Sequence, residues 1–448
     1  MTKLALTGLA GTSIEWYDFL LYGVGSALVF PALFFPKSLP HGIALLASFS
    51  TFAVGFLARP VGAIIFGHLG DRLGRTTALA IALVLMGVAT TLIGCLPPYA
   101  TIGAVAPTLL VLLRFAQGLA IGGQWSGAML LVVESAPATR RGYWGSFAQC
   151  GAPTGVVLAN LAFLIVGALT PADAFLTWAW RLPFFLSILL IALGWYVHRR
   201  VEDTPVYREL QRARGPGTLG PVRSPVLQAL RRHPREILLA AGSFVASNIL
   251  FYVVTTFAVA YATSADGLQI SRMAILTAVL IGTGVAAPFL VVFGALSDRF
   301  GRRRVAMTGA ALTALSAFAL FPLLATKSVL GMAAGVALLN ASGNMMYGPQ
   351  AALFGELFRT KVRYSCASLG YQLGAIFGGA LAPLIATSLF SAFHSTTGIA
   401  AYMATACLIS FISVGLLGET AGGSLREATP GEAARGEIAS GILRGEIA

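Results

Sequence analysis

The segment GHLGDRLGRTT, Gly67 to Thr77, recurs as GALSDRFGRRR, Gly294 to Arg304. Asp71 and Asp298 stand 298 − 71 = 227 residues apart, about half of the 448-residue chain. Each copy follows one apolar run and precedes another. The same basic loop at the same point of both halves predicts a duplicated bundle of membrane helices.

Composition points the same way. Charged residues make up 10% of the chain, against roughly 25% in a soluble domain, and 57% are hydrophobic, with a mean hydropathy of +0.81. Crossing a bilayer takes about 20 apolar residues. Twelve such spans are predicted, near 8–31, 42–66, 77–97, 107–132, 143–169, 177–198, 237–262, 273–296, 304–325, 328–352, 364–390 and 397–418. The fold class is therefore an all-α membrane protein.

The net charge of +13 invites a nucleic-acid reading, but the charges are spread over many short loops rather than one face. If the chain begins in the cytoplasm, the outer connections hold only Lys37, Arg181, Arg272 and Lys327. The inner ones hold Lys3, Arg72, Arg75, Arg140, Arg141, nine arginines between 199 and 235, four between 299 and 304, Arg359, Lys361 and Arg363, with three more in the tail. This is the positive-inside pattern, and it predicts both termini in the cytoplasm. Cys95, Cys150, Cys366 and Cys407 fall in or at the ends of spans, so neither a disulfide framework nor a metal site is expected. The first span is long, contains Glu15 and Asp18, and reads as a membrane helix rather than a cleaved signal.

The longest polar connection divides six spans from six. The expected organisation is an N-terminal bundle over 1–198, a cytoplasmic linker over 199–236 with a short amphipathic piece at 206–214, a C-terminal bundle over 237–418 and a flexible tail over 419–448. The tail contains RGEIA twice.

Glu15, Asp18 and Tyr22, spaced three and seven apart, share one face of the first helix. An ionisable side chain at a helix centre costs about 2.5–3.5 kcal/mol on insertion scales, so both acids need a cavity or a partner. Two readings stand: a structural ion pair with Arg59 or Arg114, or a role with protons or substrate.

The first-span segment GTSIEWYDFLLYG (11–23) resembles that of the metabolite:proton symporter family of the major facilitator superfamily, which holds shikimate, α-ketoglutarate, citrate and proline/betaine transporters. So do FLARPVGAIIFGHLGDRLGR (56–75), RFAQGLAIGGQWSGA (114–128), ESAPATRRGYWGS (134–146), WRLPFFLS (180–187) and GELFRTKVRYSCASLGYQLGAIFGGALAPLIA (355–386). The resemblance implies a monomeric inner-membrane protein of twelve helices in two pseudo-symmetric halves. It implies proton-coupled uptake of a small organic anion or zwitterion by alternating access, without a cofactor. In that family the repeated loops lock the cytoplasmic side while the site faces outward, which gives Gly67, Asp71, Arg72, Gly74 and Arg75, and Asp298, Arg299, Gly301 and Arg302, a gating role. On physical grounds Asp71 can accept hydrogen bonds at the N-terminal end of a facing helix, where the dipole favours an anion.

Candidate substrate contacts follow from polar residues inside spans. The fourth span carries Arg114, Gln117 and Gln124 over about 80° of helix surface, and Arg114 has the planar fork that suits a carboxylate. Tyr22, Gln149 and Asn160 complete the first half. The second half offers neutral groups on shared faces: Asn248 with Tyr252, Asn340 with Asn344 and Tyr347, and Ser368 with Gln372. Hydrogen bonding between helices is the simpler account of each set. Gln124 departs from the family, which commonly reads GGE there; a glutamine cannot titrate. That leaves Glu15, Asp18 and Glu134 as proton-coupling candidates, with Glu134 near the inner end of its helix. Arg359, where the family often has proline, is a second departure.

Two other functions compete. GAPTG (151–155) resembles part of a glycine-proline motif of drug:proton antiporters and suggests export of an amphipathic compound. A membrane receptor without transport is the other. His41, His68, His198, His233 and His394 lie in loops or at span ends, and no HExxH motif, nucleophile elbow or P-loop occurs, so an enzyme is not expected.

Overall fold

The computed structural model describes residues 1–171, 174–214, 225–264, 267–423 and 425, and all regular structure among them is helical. In lipid the backbone has no water to bond, so each apolar run satisfies its own polar groups as a helix. Among the described residues, eleven helices are long and apolar enough to cross a membrane. With the first helix, the spans are α1 (Thr2–Leu28), α2 (His41–Arg72), α3 (Arg75–Cys95), α4 (Val105–Val133), α5 (Ala138–Leu169) and α6 (Phe175–Arg200). The second six are α7 (Pro234–Thr263), α8 (Met273–Phe300), α9 (Arg302–Ala325), α10 (Val329–Leu357), α11 (Arg363–Phe393) and α12 (Thr397–Leu416). Helix α1 is long enough but less apolar, because Lys3, Glu15 and Asp18 interrupt it.

Two short helices, Pro205–Arg214 and Pro225–Arg232, occupy the connection between α6 and α7. Apolar Val206, Tyr207 and Leu210 of the first, and Val226 and Ala229 of the second, are buried while Arg208, Arg212, Arg231 and Arg232 face outward. The expected amphipathic piece is thus a docked helix. The RGEIA repeats lie outside the described residues.

Within the first half, α2 and α4 approach at glycines. A Cβ on Gly62 would collide with the backbone of Leu119, one on Gly118 with the carbonyl of Gly55, and one on Gly122 with the carbonyl of Arg59. Lipid gives no hydrophobic drive for helix association, so close backbone packing of this kind carries it. At the other end of the bundle Arg181 donates to the carbonyls of Gly94 (2.6 Å) and Leu96 (2.9 Å), satisfying the end of α3.

The repeated loops are two matched turns. Gly74 and Gly301 adopt φ +117° and +97°, a region that disfavours side chains. Each joins its two helices across one or two residues, so α2–α3 and α8–α9 are antiparallel pairs with their basic ends on one face. That arginine-rich face is where the halves meet most closely: α2 runs along α11, and the first turns of α5 lie on α8 and α10.

Candidate functional site

Polar side chains buried in the first half form a chain of hydrogen bonds. Arg114 Nη1 donates to Gln117 Oε1 (3.1 Å), Gln117 Nε2 to Thr90 Oγ1 (2.7 Å), and Thr90 Oγ1 to Asp18 Oδ2 (2.8 Å). Ser187 of α6 donates to Asp18 Oδ1 at 2.6 Å. Asp18 thereby ties α1, α3 and α6 together through two hydroxyls. The Arg114 guanidinium lies over the Tyr22 ring (4.2 Å), whose hydroxyl bonds Thr51 (2.7 Å), and the Arg59 guanidinium lies over Phe19 (4.5 Å) and Phe56 (4.3 Å). Neither acid of α1 makes a direct ion pair with an arginine among the described residues. Glu15 differs from Asp18: its Oε2 is buried with no hydrogen-bond partner.

Between the halves stands an aromatic pile. Trp125 of α4 stacks on Tyr371 of α11 (3.9 Å between centroids, 14° between planes), and Tyr371 stacks on Phe244 of α7 (4.0 Å, 23°). Trp125 Nε1 donates to Gln149 Oε1 (2.7 Å), and Gln149 Nε2 donates to the carbonyl of Tyr347 (2.9 Å). Next to this pile a cavity of about 90 Å³ opens among α1, α5, α7, α8 and α10. Its wall includes Trp16, Phe251, Asn248, Thr283, Asn340, Asn344 and Tyr347.

Among the expected substrate residues, Asn248, Asn340, Asn344 and Tyr347 line this cavity. The others are elsewhere. Tyr22, Arg114 and Gln117 belong to the buried chain described above. Gln149 holds Trp125, while Gln372 reaches across to the carbonyl of Ile121 (3.2 Å) and Gln124 to that of Ala82 (3.4 Å). Tyr252 packs on Phe19 and Phe56 of the opposite half. Asn160 is exposed and bonds its own helix at Val156. Buried polar groups seek partners, and with the halves pressed together Gln117, Gln124, Gln149 and Gln372 find them in neighbouring helices rather than in open space. The GAPTG run has a packing account: Gly151 and Gly155 let α5 lie against Thr12, Ser13 and Trp16 of α1.

On the arginine-rich face, two locks join the halves. Asp71 accepts from the backbone N–H of Tyr364 (3.1 Å) and Ser365 (3.0 Å) at the start of α11, and from the Ser365 hydroxyl (2.7 Å). Arg75 holds Asp71 (2.9 Å) and donates to the carbonyl of Thr360 (2.8 Å). Glu134 pairs with Arg363 (2.7 Å) and Arg75 (3.5 Å) and accepts from Thr204. The second lock repeats this with the halves exchanged. Asp298 accepts from the N–H groups of Gly142 and Tyr143 (2.8 Å each), Arg302 holds Asp298 (2.7 Å), and Glu356 pairs with Arg302 (3.2 Å) and Arg141 (3.4 Å). The pairs Glu134/Glu356 and Arg141/Arg363 share one offset, 356 − 134 = 363 − 141 = 222. Gly67 lets Ser365 approach, whereas Arg72 and Arg299 point outward. Glu134 thus sits among guanidiniums. Burial is the largest single influence and pushes its carboxyl up, but Arg75 and Arg363, with the hydrogen bonds, hold it below the ordinary range.

The acids that complete the locks were not among the expected residues. Asp203 accepts from the N–H of Arg75 (3.0 Å) and Glu419 from that of Arg302 (2.8 Å), each capping the basic helix of its own half. Each follows the sixth helix of its half by three residues, so the matching places after Arg200 and Leu416 contained the clue. Residues expected to be a free tail from 419 on are held at their start. Thr420 donates to Glu356 (3.0 Å), the carbonyl of Gly423 accepts from Arg141 (2.6 Å), and that of Leu425 accepts from Thr360 (2.8 Å) and Arg363 (3.0 Å). A chain ending at Gly418 is expected to loosen this face, seen as faster maleimide labelling of Ala351→Cys, a position buried against Gly145. A chain ending at Leu425 is the control. Equal labelling of the two would remove the strap from the lock.

Comparison with known proteins agrees with this architecture. Residues 19–363 and 244–444 match the family model described as Major Facilitator Superfamily. The Shikimate transporter of Escherichia coli (strain K12) is 40% identical over 417 residues, covering 93% of this chain and 94% of that protein. The Inner membrane metabolite transport protein YhjE of the same strain is 39% identical over 424 residues, covering 93% and 94%. The solved structure of the proton:xylose symporter XylE bound to 6-bromo-6-deoxy-D-glucose has the same fold, with a TM-score of 0.75 at 19% identity over 94% of this chain and 97% of that one. The chain belongs to the Major Facilitator Superfamily and, with its two interlocked sets of membrane helices, is a membrane transporter rather than an enzyme.

Proposed function

We propose that the protein imports a small organic acid together with protons by alternating access, in the inner membrane, with the arginine-rich face in the cytoplasm. The observation that carries the coupling is the contrast between the two acids of α1. Asp18 is fully occupied by Ser187 and Thr90, whereas Glu15 Oε2 is buried without a partner. A buried carboxylate lacking hydrogen bonds is costly as an anion, and protonation removes that cost. Glu15 is therefore the proton carrier in this reading, Asp18 a structural staple and Glu134 part of the inner gate. Arg59 and Arg114, held over aromatic rings beside α1, supply the positive charge that meets a carboxylate when the cavity opens toward them. The 40% identity to a protein named as a shikimate transporter supports an organic acid as cargo.

The test uses proteoliposomes and any carboxylate that the protein exchanges. Glu15→Gln is expected to abolish accumulation driven by an imposed pH gradient while keeping substrate counterflow. Without its proton site a symporter still equilibrates substrate but cannot draw on the gradient. Asp18→Asn, which retains one acceptor oxygen, is expected to be slower yet still concentrative. Gradient-driven accumulation by Glu15→Gln would sink the assignment.

A further inference from the structure

The second basic turn carries two arginines that its lock does not use. At the offset of 227, Arg303 and Arg304 stand where the first turn has Thr76 and Thr77. Arg302 alone repeats the part that Arg75 plays in the lock. Around Arg299, Arg303 and Arg304 lies a cavity of about 620 Å³, walled also by Thr139 at the start of α5, by Phe300 and by Met307. Among the described residues, none of these three guanidiniums makes an ion pair or a hydrogen bond, and that of Arg299 lies 5.5 Å from the centre of the Phe300 ring. Two acids share the wall, and both are engaged. Asp298 is taken by Gly142, Tyr143 and Arg302, and Glu419 by the N–H groups of Arg302 (2.8 Å) and Arg303 (3.2 Å). The first turn is filled instead: Tyr207 of the docked helix donates to the carbonyl of Arg72 (2.7 Å), with the Arg75 guanidinium over its ring (5.0 Å).

The surroundings decide which anion fits. On α8, Phe289, Val292, Leu296 and Phe300 are exposed and spaced three, four and four apart, which puts them on one face. Exposed apolar side chains on a membrane helix meet acyl chains, and this stripe ends at Phe300 in the cavity wall. An occupant that is anionic at one end and apolar along its length matches both features. The planar fork of arginine suits phosphate oxygens, and basic residues at a membrane surface attract acidic headgroups. We propose that this cavity binds the headgroup of an anionic phospholipid from the leaflet on the arginine-rich side, with Arg299, Arg303 and Arg304 on its phosphate and its acyl chains along the α8 stripe. The site is separate from the cavity between the halves and stands whatever the protein transports.

The test is native mass spectrometry of the purified full chain in detergent, titrated with dioctanoyl phosphatidylglycerol, dioctanoyl phosphatidylcholine or glycerol 3-phosphate. Phosphatidylglycerol is expected to bind the unaltered protein in clear preference to phosphatidylcholine. At about 1 kcal/mol per arginine, Arg303→Gln combined with Arg304→Gln is expected to weaken that binding roughly 30-fold. Arg231→Gln combined with Arg232→Gln removes two exposed arginines from the second docked helix and should leave it unchanged. Arg299→Gln alone, with a loss of roughly fivefold, provides the readout if the first double variant is not recovered folded. Equal binding of the two lipids, or equal losses from the two double variants, overturns the site, since charge anywhere on the face would then suffice. Glycerol 3-phosphate binding as tightly as the lipid assigns the cavity to a soluble anion instead. Phosphatidylglycerol binding only to a chain that ends at Leu425 gives the cavity to the tail, and this too overturns the lipid assignment.

Discussion

Glu134→Gln is expected to open the arginine-rich face on the order of 100-fold relative to the unaltered protein. Glu134 is buried between Arg363 of the second half and Arg75 of the first. Removing one partner of a buried ion pair costs about 3–5 kcal/mol, because the remaining charge stays desolvated. Here the strain has an exit: if the halves separate, Arg363 and Arg75 reach water. Most of the cost therefore falls on the closed state. Labelling of Ala351→Cys by an impermeant maleimide, corrected for the native cysteines, reports the change. Unaltered labelling at normal protein amount would mean that the lock does not depend on this pair.

Acid should not mimic the substitution readily. The ordinary value for this group is 4.5, and the folded protein holds it lower. A carboxyl depressed on closing contributes stability that is complete above the ordinary value and is lost as pH falls through the depressed one. At about pH 5 the Glu134–Arg363 contact is still formed, so the labelling difference between Glu134→Gln and the unaltered protein should persist there.

Gly62→Val is expected to have the largest effect on the folded protein itself. A Cβ at Gly62 would already overlap the carbonyl of Leu119, and neighbouring contacts at Gly118 and Gly122 are equally backbone against backbone. No side chain can rotate away, so α2 and α4 must separate along several turns. That would disturb Arg59 and Arg114, which lie on the same two helices. Loss of most folded protein, seen as a collapsed monodisperse peak after solubilisation, is the expected outcome. Gly167→Val, at a glycine with nothing within 4 Å of an added Cβ, should be tolerated. Normal recovery of Gly62→Val would show that the α2–α4 contact is more compliant than its geometry.

Several of these features could be read in one dimension. The 227-residue repeat and the run of apolar spans specified a duplicated helical bundle, because membrane insertion responds to local hydrophobicity and loop charge. The spacing of Glu15 from Asp18 put both on one face, and Asp71 was expected at a facing helix N-terminus, where its contacts with Tyr364 and Ser365 lie. Local pattern could not separate Glu15 from Asp18. Their difference depends on Ser187, 169 residues from Asp18, and Thr90, 72 residues away. Nor could it tell that Arg114, Gln117 and Gln372 are engaged with neighbouring helices while Asn344 faces a cavity, since all are polar residues within apolar helices.

By itself, then, the amino-acid order determined the helices, their duplication and the two basic turns, all of which arise from residues near one another in the chain. Tertiary structure alone decided which polar groups are spent on each other and which remain for a ligand. It also decided that Glu134 is paired with Arg363, and that residues 419–423 and 425 strap the same face. Those outcomes depend on hydrogen-bond partners brought together across the two halves, and a polar side chain in lipid takes whichever partner the packing supplies.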